Sequence, residues 1–245
     1  MQSFTQLFIA NLKIIYRNKA QLFWNAVMPA GLYIALSILP LPKMVDIPYR
    51  DYVLPGMIAY VIMTNGIYGL AYWMAEMRSK NVIKRFLVTP IKVRDLALSL
   101  VASRLVIMFF QVALLTLIGM VFFKAPFAGN FLSVILLTCL GGSIFLLVGL
   151  LIANYSSSYE TATPITTAVG LPMAFLGNVF FPTDALPTAL KFISRILPIS
   201  FLSDGLRHSY LFAFDFSKIS SDLLALAIWF VILLFATIKL FKLKE

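Results

Sequence analysis

The chain has 245 residues, of which 61% are hydrophobic and only 12% are charged. A soluble domain is nearer half apolar and a quarter charged, so this composition excludes an ordinary water-soluble protein and predicts a membrane protein. The net charge of +10 does not indicate nucleic-acid binding, because the basic residues lie between long apolar runs rather than along a helix face with interleaved aromatic residues.

The first 21 residues are predicted to form an amphipathic helix. Apolar side chains recur at helical spacing, and basic side chains occupy the remaining surface. The apolar set is Phe4, Leu7, Phe8, Leu12 and Ile15, and the basic set is Lys13, Arg17 and Lys19. Such a helix lies along the inner membrane surface, where each basic residue near anionic lipid contributes about 1 kcal/mol.

Six apolar segments follow, each reaching or approaching the ~20 residues that a membrane-spanning helix needs. They are residues 22–41, 52–75, 96–123, 131–153, 161–181 and 223–241. The fifth is the least regular, because "TATPITTAVGLPMAFLGN" holds two prolines, two glycines and four threonines. The sequence therefore predicts an all-α integral membrane protein with six transmembrane helices, organised as one transmembrane domain over residues 1–245.

The distribution of Lys and Arg predicts the orientation of this domain, since cytoplasmic loops carry an excess of both. Residues 1–21, 76–104, 154–160 and 242–245, with Lys239, hold thirteen basic and four acidic residues. Residues 42–51, 124–130 and 182–222 hold seven basic and six acidic residues. We therefore expect a multi-pass protein of the plasma or inner membrane with both termini in the cytoplasm.

Between the second and third spans, "KNVIKRFLVTPIKVR" is rich in basic residues. Its role as a cytoplasmic topology signal is sufficient to explain that charge. The segment also has a shape of its own, because Ile83, Phe86 and Leu87 share one helical face. Thr89 and Pro90 then suit the N-cap and first position of a second helix. Residues 76–90 are therefore predicted to form a corner that projects into the cytoplasm, where another protein could hold it.

Residues 182–222 are predicted to form a short helical hairpin on the outer side, before the last span. Pro187 and Pro198 bound eleven residues, and a helix of that length is roughly 16 Å long, about half the hydrocarbon thickness. It cannot cross the membrane, so we expect it to dip into the interface and return. A second helix over about Phe201–Phe212 would complete this re-entrant hairpin.

No catalytic, cofactor or metal site is predicted. The chain has no G-x-x-x-x-G-K-[ST] motif, so it is not expected to bind ATP in the manner of P-loop proteins. His208 is the only histidine, which excludes a metal site built on several histidines. Polar uncharged residues do occur inside the spans, and interhelical hydrogen bonds worth ~0.6 kcal/mol each explain most of them.

Two stretches carry a resemblance to a known family. These are the cytoplasmic "EMRSKNVIKRFLVTPIKVRDL" and the outer "FFPTDALPTALKFISRILPISFLSDGLR". Together they resemble the membrane subunit of type-2 ATP-binding-cassette (ABC) exporters, over nearly the whole chain. Leu197-Pro198 with a short outer hairpin is more similar to the drug and antibiotic exporters than to the polysaccharide exporters. The chain departs from the family where it has Asn81-Val82-Ile83-Lys84 in place of the frequent Gly-Thr-Leu-Glu.

The resemblance implies the partners. It implies a second membrane subunit, identical or homologous, and separate ATPase subunits that bind ATP and Mg. The ATPases would dock on residues of the corner: Glu76, Arg78, Ile83, Lys84, Arg85, Phe86, Thr89 and Pro90. The translocation path or subunit seam would include Asn25, Asn65, Thr163, Thr166, Thr167 and Asn178.

The expected function is export by alternating access. The cargo would be a lipophilic or amphiphilic compound, such as a drug, an antibiotic or a lipid-like molecule, taken from the cytoplasm or inner leaflet. The alternative is an ion-coupled transporter or channel, which would need intramembrane carboxylates that the spans lack. A membrane enzyme using metal catalysis would need clustered acids, and none is present.

Overall fold

The computed structural model describes residues 2–80, 82, 93–212 and 216–240. This part of the chain is helical, apart from its connections and an isolated bridge between Met44 and Ile47. It therefore confirms the predicted all-α class. The helices are α1 Gln2–Arg17, α2 Lys19–Ile38, α3 Tyr49–Ser79, α4 Val93–Phe123, α5 Phe131–Asn154, α6 Tyr159–Leu176, α7 Thr188–Ile196, α8 Pro198–Leu211 and α9 Phe216–Leu240, with a 3-10 turn at Thr183–Ala185.

Four of the described helices are long and apolar enough to cross a membrane: α3, α4, α5 and α9. They correspond to the second, third, fourth and sixth predicted spans. Both α3 and α4 have 31 residues, which makes each about 46 Å long against a hydrocarbon core of about 30 Å. Each of these two helices is therefore longer than the hydrocarbon core is thick.

The first span is less simple than the sequence suggests. Helices α1 and α2 meet at a bend of 66°, and the pair counts as a fifth candidate span only if taken together. A bend of this size suits a helix that lies on the membrane surface and then turns into it. The Nδ2 atom of Asn11 donates to the Oγ of Ser99 at 3.3 Å, which holds α1 against the first turns of α4.

Helix α6 occupies the predicted fifth span but is not among the candidate spans. It has 18 residues, contains Pro164 and Pro172, and begins with Tyr159 and Glu160, which lower its hydropathy. Ser158 starts it with a capping box, in which the Ser158 side chain accepts from the Thr161 backbone N–H, satisfying a backbone donor at the helix N-terminus. The six-span arrangement thus stays a prediction.

Helix α3 is the centre of the subunit, because it packs against α2, α4, α5, α6 and α8. Its closest crossing is with α5. A Cβ on Gly149 would lie 2.5 Å from the carbonyl oxygen of Gly66, and a Cβ on Gly66 would lie 2.5 Å from the Cβ of Phe145 and 2.7 Å from its carbonyl carbon. The two backbones can approach this closely only because both positions lack side chains, as is common between helices in membranes.

The segment before the last span contains the two helices that the sequence predicts, α7 and α8. Pro198 begins α8, where its missing N–H costs nothing. Helix α8 is buried against α3, α5 and α9, and Leu202 fills the space above Gly141. Tight packing of this kind fixes the position of the polar residues that α8 carries.

Candidate functional site

A cleft of about 920 Å³ opens along one face of α3, between α2 and the start of α6. This volume is at the upper end of the usual range for ligand pockets, about 300–1,000 Å³. The aromatic residues that line it are Trp24, Tyr60, Tyr68, Tyr72, Trp73 and Tyr159. Polar and charged residues of the lining include Asn25, Thr64, Asn65, Glu76 and Arg104. The cleft can therefore hold a large apolar molecule with a few polar groups.

The floor of the cleft is formed by residues of α3 that recur at helical spacing. Its lining residues fall at positions 60 and 61, 64 and 65, 68 and 69, 72 and 73, 76 and 79, so they form one stripe along the helix. Tyr68 and Tyr72 have ring centroids 5.7 Å apart, and Tyr72 lies 4.5 Å from Tyr159. These contacts are in the range of favourable aromatic pairs and give the cleft a continuous aromatic wall.

Asn25 and Asn65, both predicted as path residues, are connected through Gln111. The Nδ2 of Asn65 donates to the Oε1 of Gln111 at 2.7 Å, and the Nε2 of Gln111 donates to the backbone oxygen of Asn25 at 2.8 Å. That backbone oxygen needs a donor, because position 29 is a proline and has no N–H for the usual helical bond. Gln111 thus compensates for Pro29 and joins α2, α3 and α4 at the floor of the cleft.

Of the predicted threonines of α6, Thr166 contacts the aromatic wall. It is fully buried, and its Oγ1 is 3.2 Å from the hydroxyl of Tyr72. Thr163 donates to the backbone oxygen of Tyr159 at 2.9 Å within the same helix, and Thr167 is exposed. The described lining of the cleft includes none of the three.

Asn178, the last predicted path residue, belongs to a buried polar network away from the cleft. Its Oδ1 accepts from the hydroxyl of Tyr52 at 2.5 Å, and its Nδ2 donates to Asp204 at 2.5 Å. Arg207 donates to Asp204 at 2.7 Å and to the backbone oxygen of Asn178 at 2.8 Å. The guanidinium also lies 4.0 Å from the ring centroid of Tyr52. Burial raises the pKa of Asp204, and the neighbouring Arg207 opposes that rise.

Two of the predicted coupling residues have described contacts. Glu76 forms an ion pair with Lys80, with 2.5 Å between Oε1 and Nζ. Arg78 donates to the backbone oxygen of Ala153, in the last turn of α5, and to that of Ser156, just beyond the end of this helix. The other predicted coupling residues, namely Ile83, Lys84, Arg85, Phe86, Thr89 and Pro90, lie outside the described residues.

Arg104, the most distinctive residue of the cleft, was not predicted from the sequence as a site residue. Arg104 has only 5% of its surface exposed and lines the cleft beside Gly69. In the sequence it counts as one more basic residue near a cytoplasmic loop. Its position inside a 31-residue apolar helix could have identified it from the sequence, since a charged residue within a span indicates function.

The described residues contain no group of three or more His, Cys, Asp or Glu side chains that could hold a metal ion. The arrangement instead offers an aromatic surface, amide groups, one buried cation and an ion pair at one end. These groups can bind a molecule.

A family model described as "ABC-2 type transporter" matches residues 2–211. Among similar proteins, the inner membrane transport permease YadH of Escherichia coli (strain K12) is 26% identical over 164 residues, covering 66% of this chain and 63% of YadH. The probable multidrug ABC transporter permease YbhR of the same strain is 22% identical over 192 residues, covering 78% of this chain and 51% of YbhR. Nodulation protein J of Rhizobium meliloti (strain 1021) is 26% identical over 178 residues, covering 66% of this chain and 62% of that protein. The chain thus spans less than two thirds of the length of these curated relatives.

Proposed function

The chain belongs to the ABC-2 type transporter family, and from this membership we propose that it is the membrane permease subunit of an exporter driven by separate ABC ATPases. The observation that carries the proposal beyond family membership is the aromatic cleft along α3. Its size and apolar walls suit a lipophilic or amphiphilic compound, such as a drug, an antibiotic or a lipid-like molecule. Export would proceed by alternating access, with the ATPases and their bound ATP and Mg supplying the energy.

The exposed side of the cleft supports a second membrane subunit, identical or homologous, in the same complex. Trp24 is 59% exposed and Met28 is 63% exposed, although both line the cleft. A second subunit placed against α2 and α6 would cover these side chains and close the cargo between the two chains. Lipid would occupy the same position in its absence.

The distribution of acids favours this proposal over an ion-coupled transporter. The candidate spans carry their acidic residues near the ends, at Asp51, Glu76, Asp95 and Asp222. Coupling to protons or sodium usually relies on ionisable groups inside the membrane. Transport by this chain therefore requires another source of energy, which an ATPase partner supplies.

Changing Ile83 and Phe86 together to Asp should prevent productive docking of the ATPase. The predicted contact face of the corner would gain two charges whose desolvation is costly. We expect at least a tenfold loss of ATPase recovered with the tagged permease in detergent, and loss of cargo-stimulated ATP hydrolysis. Changing Lys84 and Arg85 to Gln is the control, because it alters the charge of the loop but keeps its apolar face. Normal recovery and normal stimulation with the Asp variant would contradict the assignment of this segment.

Labelling of single cysteines should place Lys191 and Lys84 on opposite sides of the membrane. In a Cys139→Ser background, a cysteine at Lys191 should react with a membrane-impermeant maleimide added to intact cells. A cysteine at Lys84 should react only after the cells are opened. We expect this labelling pattern because the predicted cytoplasmic segments carry an excess of Lys and Arg. The reverse pattern would overturn the orientation.

A further inference from the structure

Arg104 is a buried cation for which the described residues provide no counter-charge. No carboxylate of the described chain lies within 4.0 Å of its guanidinium, and no described side chain or backbone oxygen accepts a hydrogen bond from it. Taking a cation out of water without a partner is costly. Membrane proteins keep such residues where they face a cavity and serve binding or transport.

The nearby acids and the connecting loop do not supply the missing partner. Glu76 lines the same cleft, but its carboxylate is engaged by Lys80 at 2.5 Å. Residues 81–92, which connect α3 to α4, contain no acidic residue at all. The charge of Arg104 is thus left for a group that enters the cleft.

The space around Arg104 is built to leave its guanidinium accessible from the cleft. Position 69 on α3 is a glycine, and a Cβ there would lie 3.2 Å from Nη1 of Arg104. A side chain at this position would crowd the guanidinium. Tyr68 and Tyr72 line the cleft on the same stripe of α3, so an apolar surface lies next to the cation.

We propose that Arg104 binds the anionic group of an amphiphilic cargo, a carboxylate or a phosphate, while the apolar body of that cargo lies along the aromatic wall. The planar guanidinium presents several N–H donors in a fixed geometry that matches the two oxygens of such a group. Aromatic rings provide a large apolar contact area for the remainder. This inference rests on the proposed function and adds to it the charge class of the cargo.

The position of the tryptophans permits a direct binding test. Trp24 and Trp73 line the cleft, whereas Trp229 lies elsewhere and donates to the backbone oxygen of Ile196. In a Trp229→Phe background, bromine atoms of a bound probe quench only the two cleft tryptophans. The probes are 9,10-dibromostearate at pH 9, which is an anion, and its methyl ester, which is neutral. They are added to the full chain, with the subunits that accompany it, in a neutral detergent.

The anion should quench at about tenfold lower concentration than the ester. Arg104→Gln should weaken binding of the anion about tenfold and leave binding of the ester unchanged, as expected for loss of charge-assisted hydrogen bonds. Arg104→Lys should keep part of the preference for the anion. Such retained binding would show that the cleft still folds when Arg104 is replaced. Equal binding of both probes by the unmodified cleft would overturn the proposal. An equal loss of both probes in Arg104→Gln would also overturn it, because Arg104 would then only shape the cleft.

A third probe distinguishes the source of the anionic group. Brominated phosphatidylglycerol presents a phosphate on a two-chain membrane lipid. Quenching that depends on Arg104 with this lipid would support the site and assign it to a lipid headgroup. Quenching by dibromostearate alone would support it and assign the site to a single-chain amphiphile. Since the measurement needs no ATPase, its result is independent of whether an ATPase purifies with the chain.

Discussion

Gly149→Ala is expected to destabilise the subunit by about 2–3 kcal/mol, the upper range for overpacking of a well-packed core. The added methyl group would lie 2.5 Å from the carbonyl oxygen of Gly66 and 2.9 Å from that of Ile67. Both contacts are with backbone, so no side chain can rotate away to relieve them. Helices α3 and α5 would have to separate, and α3 is the helix against which most of the subunit packs.

Gly31→Ala is the matched control for this prediction. Gly31 is also inside a helix, but a Cβ there would meet no atom within 4 Å. Alanine is favoured over glycine in helices by up to about 1 kcal/mol, so this variant should be as stable as the parent protein or slightly more stable. Stability is measured as the fraction of each purified variant that stays monodisperse in detergent after heating. Equal unfolding midpoints for the two variants would contradict the proposed importance of the α3–α5 crossing.

Asp204→Ala should destabilise the packing around α8 by about 3 kcal/mol, the lower end of the range for breaking a buried ion pair. The side chain of Arg207 is only 8% exposed and would be left buried without its carboxylate. Asn178 would lose the acceptor of its Nδ2 at the same time. We expect a loss of stability at the lower end of that range because the Asp204 side chain is partly exposed to solvent.

Asp184→Ala provides the comparison, since Asp184 is an acid of the same hairpin in a different environment. Its side chain is 85% exposed and lies 3.9 Å from both Lys191 and Arg195. Exposed ion pairs contribute little, so this change should shift the free energy of unfolding by less than about 0.5 kcal/mol. Adding Arg207→Met to Asp204→Ala should recover part of the lost stability, because the unpaired charge is removed. Absence of such recovery would mean that the pair is not the source of the effect.

The sequence predicts the helices of this subunit well because hydropathy and proline positions are local properties. It underestimates α3, predicted over residues 52–75 and observed over Tyr49–Ser79, because the ends of a long helix outside the bilayer are no longer apolar. It also predicts the helices α7 and α8, although it starts the second at about Phe201, three residues after the observed start at Pro198.

The cleft was only partly predictable, because the rotation of each helix about its axis depends on its neighbours. The polar residues that the sequence singles out within the spans include Asn25 and Asn65, which line the cleft; their role in a translocation path stays a prediction. The same criterion also selected Thr166, which faces Tyr72 inside the subunit, and Asn178, whose partners Tyr52 and Asp204 are distant in the chain. The aromatic residues of α3 were not singled out, because single tyrosines and tryptophans are ordinary in spans.

The contact of Arg78 with the end of α5 has a mechanical consequence. Arg78 is the last basic residue of α3, and it donates to the backbone oxygens of Ala153, in the last turn of α5, and Ser156, just after it. Together with the crossing at Gly66 and Gly149, these hydrogen bonds give α3 and α5 two fixed points along their contact. A force applied by a partner to residues 81–92 would therefore swing both helices as one stiff lever. The face of the cleft on α3 would tilt relative to α2. Contacts with a bound molecule would then weaken while every helix stays folded.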